Sequence, residues 1–166
     1  MTKKKTTVNK KTITKNAGAK STGAKSTKAD LLYPLQESFE DEVFALVNQE
    51  REAAGLPPLA RLEVLFEAAE AKAQDMRDNN YFDHISPTYG TPGQMLTQFG
   101  VEWTAYGENI AAGQRTPALV MEAWMNSPGH RANILSPKFT HMGVGYAPGT
   151  TDSRYRTYWV QEFVRL

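Results

Sequence analysis

Hydrophobic and polar positions along the chain follow a helical period first and a strand period later. From Ser38, the residues Phe39, Val43, Leu46, Val47 and Glu50 recur at helical spacing, Ser38 and Asp41 form a capping pair, and Gly55 with Pro57-Pro58 ends the stretch. A second helix is predicted from about Arg61, with Leu62, Leu65, Phe66, Ala69, Ala73 and Met76 on one face and Asn79-Asn80 as its stop. The alanines on that face predict close packing against another element. Thr91-Pro92 and Thr116-Pro117 each read as a cap followed by proline at the first helical position. They open a short helix to Phe99 and another through Leu119, Val120, Ala123 and Trp124, which stops at Ser127-Pro128-Gly129.

The period then changes to that of strands. Phe139 to Tyr146 and Tyr155 to Val164 are rich in aromatic and β-branched residues, with APGTTDSR between them as a hairpin-type loop. The alternation of Tyr106, Glu108 and Ile110 in YGENIAAG reads as extended backbone. Helices first and strands later, with no repeated strand-helix-strand unit, predict an α+β fold with a largely antiparallel sheet.

Charge divides the chain in two. Met1 to Lys28 holds nine lysines and no acid, whereas the remainder holds ten basic and 18 acidic residues, so the folded part is acidic. Residues 1–30 are too polar and charged to repay the entropy of ordering and are expected to be disordered. They read either as a lysine-rich arm for an anionic wall or surface polymer or as a solvated linker. No specific nucleic acid recognition is expected. With no cysteine in 166 residues, disulfides and thiol chemistry are excluded, and stability must come from burial. No apolar run approaches the roughly 20 residues of a transmembrane helix, and the basic start lacks the apolar stretch of about seven to 15 residues that a secretory signal needs.

Candidate chemistry rests on few residues. His84 in FDHISP and His130 in SPGHRANIL lie in turn-rich, polar surroundings, where binding groups tend to sit. Glu108 follows a glycine in extended backbone. Two imidazoles and a carboxylate are three ligands of the kind that hold zinc and leave a fourth position for water. Their separations of 24 and 22 residues are not a local metal signature, so only the fold can bring them together. No serine-hydrolase elbow, phosphate loop or dinucleotide fingerprint occurs.

FDHIS, YGENIAAG, AWMNSPGHRANIL and MGVGYA, in this order, resemble the CAP superfamily, or SCP domain, in its cysteine-free bacterial branch, over residues 38–166. The resemblance implies a three-layer α-β-α sandwich whose cleft holds two histidines and two glutamates, the histidines binding zinc in some members. It places His84, Glu108 and His130 in that cleft. The second glutamate's usual position, three residues after Trp124, is Ser127 here, and Glu122 is not carried over in its place. Asn109, Ser127, Arg131 and Asn133 are expected to support the cleft, and His141, which matches no family site, to be a surface strand residue. The function implied is a secreted or cell-surface module, monomeric and noncatalytic, that binds a divalent metal, a small ligand or a peptide. The alternatives are a zinc-dependent hydrolase with Glu108 as catalytic base and a spore- or wall-associated structural protein attached through the lysine-rich arm.

Overall fold

From Thr157 to Val164 every residue of the last strand is buried, so both of its faces are covered and the sheet it belongs to lies between two layers. The computed structural model describes residues 28–166, with side chains from Phe39 onward. The reading of the segment before Lys28 as a disordered, polymer-binding arm lies outside the described residues. In chain order the elements are α1 (Lys28–Ala53), β1 (Ala60–Arg61), α2 (Glu63–Asp78), α3 (Pro92–Gln98), β2 (Ala105–Ala112), α4 (Pro117–Met125), α5 (Pro128–Ile134), β3 (His141–Pro148) and β4 (Thr157–Arg165).

The sheet order is β1-β3-β4-β2. β4 pairs antiparallel with both β2 and β3, while β1 adds a two-residue parallel pairing to β3, so the sheet is mixed with its long pairings antiparallel. One face carries Met142, Val144, Trp159 and Phe163 against Val43 and Val47 of α1, Trp124 of α4 and Ile134 of α5. On the other, Ala69, Ala73 and Met76 of α2 meet Ile110, Tyr158 and Val160. Nearby, Leu65 and Ala68 meet Met95 and Leu96 of α3. This is the expected α-β-α sandwich. A Cβ built on Gly143 or Gly145 would lie 2.2 Å from the Leu65 carbonyl carbon or 2.1 Å from that of Ala69, so α2 rests directly on the β3 backbone.

Three local expectations are corrected. α1 is helical from Lys28, ahead of Ser38, because a Ser-x-x-Asp pair also fits two neighbouring positions on a helix face. Glu50 is exposed and Arg51 takes the buried stripe, its guanidinium bonded to the carbonyls of Pro57, Ile134 and Ser136 at 2.8 to 3.0 Å. Ser127-Pro128-Gly129 ends α4 and also starts α5, since proline suits a first helical turn. His130 therefore stands on the third residue of a helix rather than in a loop. No helix among the described residues is long and apolar enough to cross a membrane.

Candidate functional site

The segment carrying His84 is tied to α2 from below. Asp75, near the end of that helix, accepts hydrogen bonds from the hydroxyls of Tyr81, Ser86 and Thr88 and from the Asn79 amide. Burial pushes the Asp75 carboxyl up, but the bonds from Ser86, Thr88, Tyr81 and Asn79 outweigh it and hold the group below its ordinary value. One turn earlier, the buried Lys72 donates to the His84 carbonyl at 2.8 Å. The backbone of the loop is thus held at both ends while its imidazole stays half exposed.

Strand alternation places Glu108 on the α2 face of the sheet, where His84 Nδ1 meets its Oε1 at 2.6 Å. The Glu108 side chain is 2% exposed and that of His84 51%. The hydrogen bond to Glu108 raises the His84 pKa, burial opposes this, and the carboxylate charge adds to the rise. Glu162 stands directly opposite Glu108 across the β2–β4 pair. It is completely buried, and burial, then repulsion from Glu108, push its pKa well above the carboxylate range, with Lys72 pulling the other way. Glu108 Oε2 and both Glu162 oxygens have no donor among the described residues when both groups are ionised. Two ionised carboxylates have no hydrogen to share, whereas a protonated Glu162, which burial favours, can donate toward Glu108. Burial pushes the Lys72 ammonium down, and attraction to Glu108 and then Glu162 offsets part of that.

His130 reaches the same region from α5. Asn109 and Asn133 join β2 to that helix: Asn109 Nδ2 donates to the His130 carbonyl at 3.1 Å and to Gln161 Oε1 at 3.0 Å, and Asn133 Nδ2 donates to the Glu108 carbonyl and to Asn109 Oδ1. His84 and His130 both line a cavity of about 480 Å³ whose wall includes Phe82, Ile110, Trp124 and Ser127. Burial, then the charge of His84, lowers the His130 pKa. On acidification His84 therefore takes its proton before His130.

Of the residues expected in the cleft, the two histidines converge and Glu108 sits behind His84 instead of facing the cavity. Ser127 lines the cavity without capping α5 through its side chain. Arg131 and Glu122 are exposed. His141 is half-buried on β3, its Nδ1 bonded to the Thr140 hydroxyl at 2.9 Å. Among the described residues no three His, Asp or Glu side chains come together to hold a metal. Besides the two imidazoles, Asp83, Gln114 and Ser127 give the cavity its polar lining. Lys72 and Glu162 escaped the sequence reading, although both carried a signal: a lysine on the apolar stripe of α2 and an acid inside an otherwise apolar strand.

The family model described as the cysteine-rich secretory protein family, CAP, matches residues 44–163. The chain belongs to this family. It does so without a single cysteine. Within the CAP family it is 51% identical to the uncharacterized protein YkwD of Bacillus subtilis (strain 168) over 127 residues, 76% of this chain and 47% of that protein. It is 34% identical to the uncharacterized membrane protein YlbC of the same organism, over 79% of this chain and 36% of that one. This CAP chain thus spans less than half the length of these relatives. An extracellular SCP-domain protein of Bacillus anthracis str. Ames shares the fold with a TM-score of 0.75 and 34% identity, over 86% of this chain and 45% of that one. An outer surface protein of Borrelia burgdorferi superposes with a TM-score of 0.67 at 22% identity, over 74% of this chain and 89% of that one, a likeness of fold alone.

Proposed function

We propose that this CAP domain is a noncatalytic binding module, secreted or displayed at the cell surface, whose histidine cleft takes a small ligand or a peptide segment. The observation that carries the reading is that both imidazoles open on one cavity while the carboxylate expected as a base is turned onto His84. Two imidazoles and the Asp83 carboxylate, against a wall of Phe82, Ile110 and Trp124, suit a ligand with polar donors and acceptors next to a small apolar group. The extracellular SCP-domain relative supports the location.

The test is calorimetry and product analysis on the full chain, using N-acetylated amino acids, short peptides and zinc. Saturable binding without turnover, lost in His84→Ala and in His130→Ala, is the expected result. Chelator-sensitive hydrolysis of peptide, ester or wall substrates, abolished by the same substitutions, would establish the hydrolase in its place. Binding that survives both substitutions would remove the cleft as the site.

A further inference from the structure

A second cavity, of about 680 Å³, lies between α3 and the start of β2 and shares no lining residue with the histidine cleft. No side chain in its lining is charged. Trp103 and Tyr106 meet edge to face there, with ring centroids 4.6 Å apart and planes at 71°. Trp103 is half-buried, Tyr106 is 39% exposed, and neither the indole N–H nor the phenol O–H has a hydrogen-bond partner among the described residues.

Amides and hydroxyls of α3 stand beside the rings. Gln94 Oε1 accepts from the Thr91 backbone N–H in the capping box, and its NH₂ group has no hydrogen-bond partner among the described residues. Gln98 donates to the Tyr89 carbonyl at 2.9 Å and keeps its own carbonyl oxygen free. Gly93 sets how closely the rings approach: a Cβ there would lie 2.8 Å from Tyr106 Cε1 and 3.0 Å from Trp103 Cζ2. A glycine inside a helix is unfavourable for the helix itself, so its use here is the close approach of the aromatic pair. Thr97 and Trp103 also line an adjoining hollow of about 570 Å³, so the trough continues past the indole.

We propose that this trough binds a neutral oligosaccharide segment. A pyranose has an apolar C–H face and a rim of hydroxyls that both donate and accept. The face matches the exposed aromatic ring, and the rim matches the Gln94 NH₂, the Gln98 carbonyl and the Trp103 N–H. The larger hollow offers a charged peptide no countercharge, and the adjoining one carries a single charged side chain, Glu102. A wholly apolar ligand would bury those polar groups without partners. Both volumes fall within the range of ordinary ligand sites, and two joined hollows accommodate a chain better than a compact molecule.

The experiment is a titration of the full chain with the β-1,4-linked tetramer of N-acetylglucosamine, followed by tryptophan emission and by calorimetry. Trp124 and Trp159 are fully buried, so a ligand-dependent change in emission arises at Trp103. Saturable binding is expected, weakened roughly ten-fold or more by Trp103→Ala and by Tyr106→Ala and partly retained in Trp103→Phe. Gln98→Ala, on an exposed residue, weakens it in a protein whose thermal unfolding is unchanged, and Gly93→Ala, whose Cβ displaces the rings, weakens it as well. His84→Ala leaves binding intact, which keeps this site distinct from the histidine cleft. Absence of saturation well above millimolar ligand would overturn the proposal. So would equal binding of a neutral peptide of similar size, or loss of sugar binding in His84→Ala.

Discussion

Glu162 and His84 sit at two ends of one proton-sharing group, with Glu108 between them, and both make stability depend on pH in the same direction. His84 has a raised pKa in the folded state, so its bond to Glu108 stabilises fully below the unfolded imidazole value of about 6.5 and is lost as pH rises through the folded value. With half of the His84 side chain in solvent, that contribution is small. Glu162 is a buried acid with a raised pKa. Its neutral form is at no disadvantage below the unfolded carboxyl value, and stability falls as pH rises through the folded value and an unpaired charge forms in the core. Glu162→Gln, which resembles the protonated acid in shape, is expected to unfold with a Tm that falls less than that of the unchanged chain as pH rises above the unfolded carboxyl value of about 4.3. Parallel curves in thermal scans would show that Glu162 is not the neutral partner.

At the scale of elements, the contact of α2 with β3 decides how near Lys72 and Asp75 come to the loop that carries His84. Ala68, Ala69 and Ala73 keep that helix face shallow, and Gly143 and Gly145 remove the facing side chains altogether. A methyl group at Gly145 would meet the Ala69 backbone at 2.1 Å, with no flexible side chain available to yield. Gly145→Ala is therefore expected to cost about 3 kcal/mol in urea unfolding, the upper part of the usual range for overpacking. A cost below about 1 kcal/mol would mean that α2 slides freely on the sheet. The alanine stripe in the sequence already indicated close packing. That the partner was β3 followed only from the strand order.

For the whole molecule, Arg51 joins parts far apart in the chain. Its guanidinium, fully buried and without an acidic partner among the described residues, donates to three carbonyls: one from the loop after α1 and two from the end of α5 and the residues that follow it. Burial pushes its pKa down from the ordinary arginine value, so the bonds must compensate for desolvation. Arg51→Met keeps most of the volume but orphans those carbonyls, and a loss of about 3 kcal/mol is expected by denaturant titration. Because α5 also carries His130, the imidazole resonance of His130 is expected to shift in the same variant. An unshifted resonance would show that α5 keeps its place without this tie.

The sequence by itself determined the order and type of the main elements, since caps such as Thr91-Pro92 and Thr116-Pro117 and the aromatic and β-branched run at the C-terminus act over a few residues. Its four motifs also named the family and the two histidines that meet in the cleft. Helix limits at Lys28 and Pro128 escaped it, because Ser-x-x-Asp and Ser-Pro-Gly each fit more than one local structure. Only the tertiary structure decided what Glu108 does. Its alternation along β2 was legible, but the register that sets it opposite Glu162, and the α2 contact that brings Lys72 and the His84 loop over it, join positions up to 90 residues apart. Such pairings depend on which faces are buried together, and no local spacing encodes that.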